Sequence, residues 1–263
     1  MNYPGWRIAS TFLAACVMLP VICVLYLALQ PSGDIWTHLI ETTLIVYIKN
    51  SIILMIGVGL LALLVGVTTA WLITMCQFTG RAFFEWFLLF PLSIPAYVIA
   101  YAYTDVLEYS GIVQEALRST FGWEKADYWF PEIRSLGGAI FVMGLVLYPY
   151  IYLLARSAFL EQSVNVLEAS RVLGRGPWAT FFTISLRAAR PAIVVGLSLV
   201  LLETLNDYGT VSFFAVPTLT AGLIDVWLGF GSLAAGAQIA SLALVFVTVV
   251  LLVEQMSRRK QRY

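Results

Sequence analysis

Hydrophobic positions in this chain gather into long runs that carry almost no charge, and the charged residues collect in short clusters between them. A bilayer core about 30 Å thick needs roughly 20 apolar residues of helix to cross it. Windows of that kind lie at Ile8–Leu29, Ser51–Cys76, Phe83–Tyr103, Leu136–Ala155, Pro191–Val216 and Leu233–Val253. Inside lipid every backbone polar group must be bonded within its own segment, so these windows predict helices and not open strands. The predicted fold is all-α, a polytopic membrane helix bundle of six spans, with residues 1–263 forming one transmembrane domain. The first window is too long for a signal peptide, and Gln30-Pro31-Ser32-Gly33-Asp34 offers no small-x-small cleavage site, so it is expected to remain as a span.

Composition strengthens this picture. The chain of 263 residues is 60% hydrophobic and 11% charged, against about 25% charged for soluble domains. The formal net charge is zero, but the cations are unevenly placed. One set of alternate connections holds Arg7, Arg81, Arg156, Arg171, Arg175, Arg187, Arg190, Arg258, Arg259, Lys260 and Arg262, and the other holds Lys49, Arg118, Lys125 and Arg134. Lysine and arginine accumulate on the cytoplasmic side. Both termini are therefore expected in the cytoplasm and the loop Thr104–Ser135 outside. That loop is acidic and carries Tyr128-Trp129-Phe130-Pro131, an aromatic group suited to a membrane interface.

Other features narrow the chemistry. Cys16, Cys23 and Cys76 have no paired spacing and read as packing residues, while the single histidine, His38, excludes a His-rich metal site. No lysine has the glycine spacing of a P-loop: Lys49, Lys125 and Lys260 are followed by Asn50, Ala126 and Gln261. Gly229-Phe230-Gly231 enters a membrane helix without a preceding βαβ strand, so it is not a dinucleotide fingerprint. No nucleophile with a base stands out for an intramembrane protease. The chain is therefore expected to be a transport subunit, not an enzyme, with no cofactor and no nucleic-acid partner. Pro20, Pro91, Pro95 and Pro149 interrupt spans, which fits either kinked packing or a moving segment along a pathway.

The cytoplasmic connection from Arg156 to Arg190 is too long for a tight hairpin. Val164–Leu173 reads as a short amphipathic helix, with Val166, Ala169, Ser170 and Leu173 on one face and Asn165, Glu168 and Arg171 elsewhere. Gly174 and Gly176 end it, and Pro177 suits the first turn of a second short helix, Trp178–Leu186. Glu168-Ala169-Ser170, Gly174 four positions later, and Ile184-Ser185-Leu186 resemble the EAA loop of binding-protein-dependent ABC permeases, whose pattern is E-A-A, three residues, G, nine residues, I-x-L-P. Ser170 stands where a second alanine is usual and Arg187 where proline is usual. The resemblance implies the ABC importer permease fold and a coupling helix seated in a groove of an ABC ATPase dimer, with Glu168, Ala169, Ser170, Gly174, Ile184 and Leu186 as the coupling positions.

Three further runs, Pro91–Asp105, Leu147–Arg156 and Glu203–Thr210, resemble the ferric-iron permeases of the FbpB type, and the chain is similar to the first of their two halves. This implies iron as the solute, a periplasmic binding protein that delivers it, a separate ATPase chain, and a second permease half from a like chain, a homologous chain or a further C-terminal segment. Permeases for sulfate, molybdate, thiamine, polyamines or phosphonates share the loop, and an ion-driven secondary transporter is the alternative outside the family. Ferric iron favours carboxylate and phenolate oxygens. Tyr97 and Tyr101 share one face of the third span above Asp105, and Glu203 and Asp207 are spaced to share one face of the fifth. Each pair either locks helices together or lines a pathway.

Overall fold

The computed structural model describes residues 4–163, 168, 170, 172–174 and 176–259. Ala169, Arg171, Arg175, residues 164–167 and residues 260–263 lie outside them. Among the described residues the protein is helical with no strand. Its helices are α1 (Pro4–Ala28), α2 (Asp34–Thr42), α3 (Leu44–Met75), α4 (Arg81–Phe87), α5 (Ala96–Leu107), α6 (Ile112–Phe121) and α7 (Leu136–Leu160), then α8 (Pro177–Asn206), α9 (Gly209–Phe213), α10 (Leu219–Gly229) and α11 (Leu233–Arg259). Five of them, α1, α3, α7, α8 and α11, are long and apolar enough to cross a membrane, and a bent pair makes a sixth if it counts as one span.

Two compact units divide the chain, Met1–Lys49 with Pro217–Thr248, and Asn50–Val216 with Val249–Tyr263. In the first unit, Gln238 on α11 donates to the carbonyls of Ala28 and Gln30 at 3.2 Å each and accepts from Ser32 at 2.9 Å. The chain beyond α1 thus has its carbonyls satisfied by a side chain. Cys16 and Cys23 are exposed on α1 and Cys76 is half-buried, so the first two do not pack within the chain as expected.

The second unit is built on α3, α7 and α8, with α7 and α8 packed along each other. Close approach depends on glycine. A Cβ at Gly66 of α3 would lie 2.9 Å from the Tyr148 carbonyl oxygen, and one at Gly196 of α8 would lie 2.9 Å from the Ile151 Cα. Small residues at helix contacts are what lets backbones meet where lipid removes the hydrophobic drive.

The third predicted span is not one helix. Arg81–Ser93 and Ala96–Phe121 meet at a bend of 101°. Phe90–Ser93 forms a 3₁₀ turn with Pro91 at its start, Ile94 is extended at φ −122° and ψ 130°, and Pro95 precedes α5. The ring of Pro95 drives the residue before it out of the helical region, which places the break at Ile94.

The fifth span also differs. Its helix runs 30 residues from Pro177 to Asn206, with a π-helical turn at Phe181–Ser185 and Pro191 inside it. Trp178–Leu186 is therefore the first part of α8 and not a separate helix. The charged residues Arg187 and Arg190 obscure this continuity in the sequence.

Candidate functional site

The base of the predicted coupling loop is pinned at several points. Gln162, just past α7, donates its side-chain amide to the Ser185 carbonyl at 2.9 Å. The Ser170 and Thr180 hydroxyls are buried and 2.8 Å apart, so one donates to the other. This contact accounts for serine at the position where alanine is usual, because its oxygen has a partner on α8. Trp71 on α3 packs against Trp178 at 5.2 Å and Phe181 at 5.0 Å between ring centroids. The aromatic group fixes the start of α8 against α3.

Glu168, Ser170 and Val172 are helical. Ser170 is 3% exposed whereas Leu173 is 78% and Val172 88% exposed, so Ser170 and Leu173 do not share the face the periodicity predicts. Ser170 faces the protein, and the apolar pair Val172-Leu173 stands out beside Gly174. Gly174 has φ +75°, with nothing within 4 Å of an added Cβ. The left-handed conformation ends the helix there, and a β-branched residue would strain it by about 1–2 kcal/mol. Glu168 is exposed, while Ile184 and Leu186 are half-buried in the first turns of α8. Ala169 is outside the described residues.

The pathway candidates divide. Tyr97 and Tyr101 are 55% and 65% exposed along α5. Tyr97 lies where a Cβ at Gly209 would meet it at 3.0 Å, and the Tyr101 ring is 5.8 Å from that of Phe213. Asp105 is exposed farther along α5. Glu203 is exposed on α8, close to the Tyr150 side chain of α7.

Asp207 caps the end of α8: its N–H still bonds the Glu203 carbonyl at 3.0 Å and its φ is −67°, but its ψ of 125° takes the chain out of the helix and on to α9. Its carboxylate accepts the backbone N–H groups of Thr210 and Val211 at 2.9 and 3.1 Å and the Thr210 hydroxyl at 3.0 Å. It satisfies the first donors of α9, as a capping acid does. The i, i+4 spacing is legible in sequence, but the helix end between the two residues is not.

Side chains that sequence reasoning does not single out join α4 to α7. The Tyr148 hydroxyl donates to the Leu88 carbonyl at 2.8 Å, the Tyr152 hydroxyl to the Glu85 carbonyl at 3.2 Å, and Arg156 pairs with the Glu85 carboxylate. The four-residue spacing of 148, 152 and 156 was a usable signal for one helix face. Between α5 and α7, Tyr128 donates to Gln114 at 2.8 Å and accepts from Arg118 at 3.0 Å. Tyr128 and Gln114 border a cavity of about 430 Å³ that also meets Tyr109, Lys125 and Arg134. Among the described residues no group of three or more His, Cys, Asp or Glu side chains could hold a metal ion.

Comparison with known proteins places this arrangement. The chain is 30% identical over 195 residues to the molybdenum transport system permease protein ModB of Escherichia coli (strain K12), a match covering 71% of this chain and 82% of that one. It is 26% identical over 204 residues to the Fe(3+)-transport system permease protein FbpB 2 of Haemophilus influenzae, covering 77% of this chain and 36% of that one. Relatives also include permeases named for sulfate and 2-aminoethylphosphonate. A bacterial alginate ABC transporter, solved with an alginate pentasaccharide-bound periplasmic protein, has a chain that matches with TM-score 0.71 at 18% identity, over 98% of this chain and 94% of that one. At that identity the likeness shows the fold, which is the ABC permease fold expected from the loop. Residues 62–262 match the family of binding-protein-dependent transport system inner membrane components. The chain belongs to that family, the permeases of ABC importers.

Proposed function

We propose that this chain forms the translocation path of an ABC importer for a small inorganic oxyanion of the molybdate class, released into it by a periplasmic binding protein and driven by a dimeric ATPase on separate chains. The observation that carries the substrate is the relative just described, matched over most of its own length under a molybdenum name. Asp207 supports it: three donors already occupy its carboxylate, leaving it little capacity to ligate a cation. Ferric iron is the second reading, favoured by the oxygen donors Tyr97, Tyr101, Asp105 and Glu203 and by the iron permease relative.

The coupling reading assigns Glu168, Ala169, Ser170, Gly174, Ile184 and Leu186 to the ATPase contact and its support, with Val172 and Leu173 as the apolar pair that enters the ATPase groove. Residues 156–190 then act as the coupling segment of a single permease domain, residues 1–263. One coupling helix per chain against two ATPase grooves calls for a second permease half, and a like chain is the simplest supplier.

Cation placement supports cytoplasmic termini. If Arg81–Ser93 and Ala96–Phe121 together cross the membrane, the connection after α7, rich in arginine, lies inside; a re-entrant pair would leave it outside, against the charge rule.

Uptake of labelled molybdate and of ferric iron into proteoliposomes carrying the whole complex tests the substrate. Accumulation of molybdate alone is expected, and accumulation of iron alone would transfer the assignment to the second reading. Gly174→Val tests coupling in the same vesicles. Inserted protein with ATPase activity and no uptake is the expected result, and wild-type uptake would remove the assignment.

A further inference from the structure

Tyr148, Tyr152 and Arg156 occupy successive turns of one α7 face, and all three reach α4. Their partners are the Leu88 carbonyl, the Glu85 carbonyl and the Glu85 carboxylate, so the last turns of the short inner helix are held from one side. The Glu85–Arg156 side chains are 31% and 27% exposed, and the Arg156 Nε is buried without a hydrogen-bond partner. A half-buried ion pair is screened less by salt than a fully exposed one and is costly to leave half-made.

The location gives the contact its meaning. Arg156 lies one turn before the end of α7, where Gln162 ties the chain to Ser185 of α8 at the root of the loop. Glu85 lies on the inner arm of the bent pair, and beyond the 101° bend is the arm that carries Tyr97 and Tyr101. Between the arms stands extended Ile94 between a 3₁₀ turn and Pro95. An extended residue beside a proline is a natural hinge, because no helical hydrogen bond crosses it.

We propose that Glu85 and Arg156, backed by Tyr148 and Tyr152, are positioning residues that clamp the inner arm of the bent pair to the base of the coupling loop, so that movement of the loop is delivered to the bend at Ile94. The proposal rests on the coupling reading above. The clamp holds α4 and α7 as one body, and the angle at Ile94 is the coordinate that changes. Removing either charge lets the inner arm follow the outer one, and the loop then moves without working the bend.

Spin labels at Phe83→Cys and Val106→Cys, one on each arm and both exposed, report the bend in the full complex with its ATPase. The background lacks Cys16, Cys23 and Cys76. Nucleotide trapped on the ATPase should shift the distance between the labels, and Glu85→Gln or Arg156→Gln should abolish that shift while the complex still assembles. The exchanged pair Glu85→Arg with Arg156→Glu should regain roughly half of it, since a merely structural loss would not be repaired by reversing the charges. Gly174→Val serves as the separate control on the coupling reading. A shift that persists in both single variants but vanishes with Gly174→Val overturns the clamp and leaves coupling intact; a shift that persists in all three overturns both. A wild-type complex with no shift also overturns the clamp. Should the charge variants fail to insert, Tyr152→Phe replaces them: a reduced shift supports the clamp, and an unchanged one overturns it.

Discussion

Helices α1 and α7 are each 25 residues long, each apolar, and each has one proline in its interior, Pro20 and Pro149. Within the chain, none of the most apolar window of α1 is buried, whereas 61% of that of α7 is. The helix with the more apolar sequence is thus the one its own chain leaves uncovered. Apolarity commits a helix to lipid but does not choose its neighbours, since lipid tails are as apolar as leucine. What distinguishes α7 is a set of close backbone contacts at Gly66 and Gly196 and a line of polar groups, Tyr148, Tyr152 and Arg156, each with a partner.

The strongest way to break this comparison is to remove the close approach. Gly196→Leu sets a side chain against the Ile151 backbone, 2.9 Å from the first added carbon. Backbone cannot swing aside as a side-chain end can, so the cost should reach or exceed the usual overpacking penalty of about 1–3 kcal/mol. Ala14→Leu on exposed α1 should stay within about 0.5 kcal/mol. Thermal unfolding of the two variants in detergent, with equal expression of wild type as reference, checks the contrast. Equal destabilisation would mean that α1 is as closely packed as α7.

A smaller effect isolates the polar line. Tyr148→Phe keeps the ring but leaves the Leu88 carbonyl without its 2.8 Å donor, for an expected loss of about 1 kcal/mol. Tyr26→Phe, at an exposed position of α1, should be silent. Denaturant midpoints of the pair measure the difference.

The legible and illegible parts of the fold follow the same division. Charge-free windows reveal straight spans, because a stranded charge in lipid is expensive wherever the neighbours sit. They do not reveal the bend at Ile94, since Phe83–Tyr103 is free of charge apart from Glu85 and reads as one window despite Pro91 and Pro95. They also end α8 in the wrong places: Arg187 and Arg190 look like loop, and Asn206-Asp207 looks like helix.

In the predicted coupling loop, the stop at Gly174 is readable, because a glycine after an amphipathic run has a local conformational reason. The Ser170–Thr180 contact is not. It joins residues on two sides of that stop, and no period links them. Glu85 and Arg156, 71 positions apart, are visible to sequence reasoning only as isolated charges.

The smallest expected effect sharpens what holds α1 at all. Beyond its last turn, Gln238 gives both amide protons to the Ala28 and Gln30 carbonyls and accepts from Ser32, so a single side chain satisfies three groups where the chain leaves the helix. Gln238→Leu removes all three bonds while keeping a similar volume. These groups lie near an end of the helix, and water can replace much of what is lost, so global stability should fall by less than about 1 kcal/mol. The local consequence should be larger, because the Ala28 carbonyl has no donor within the helix and the final turn frays once it is unheld. Hydrogen exchange in detergent should therefore quicken at residues 26–33, with α7 amides unchanged. Faster exchange in α7 as well would show that the two helices unfold as one unit, and the contrast between a packed helix and a tethered one would fail.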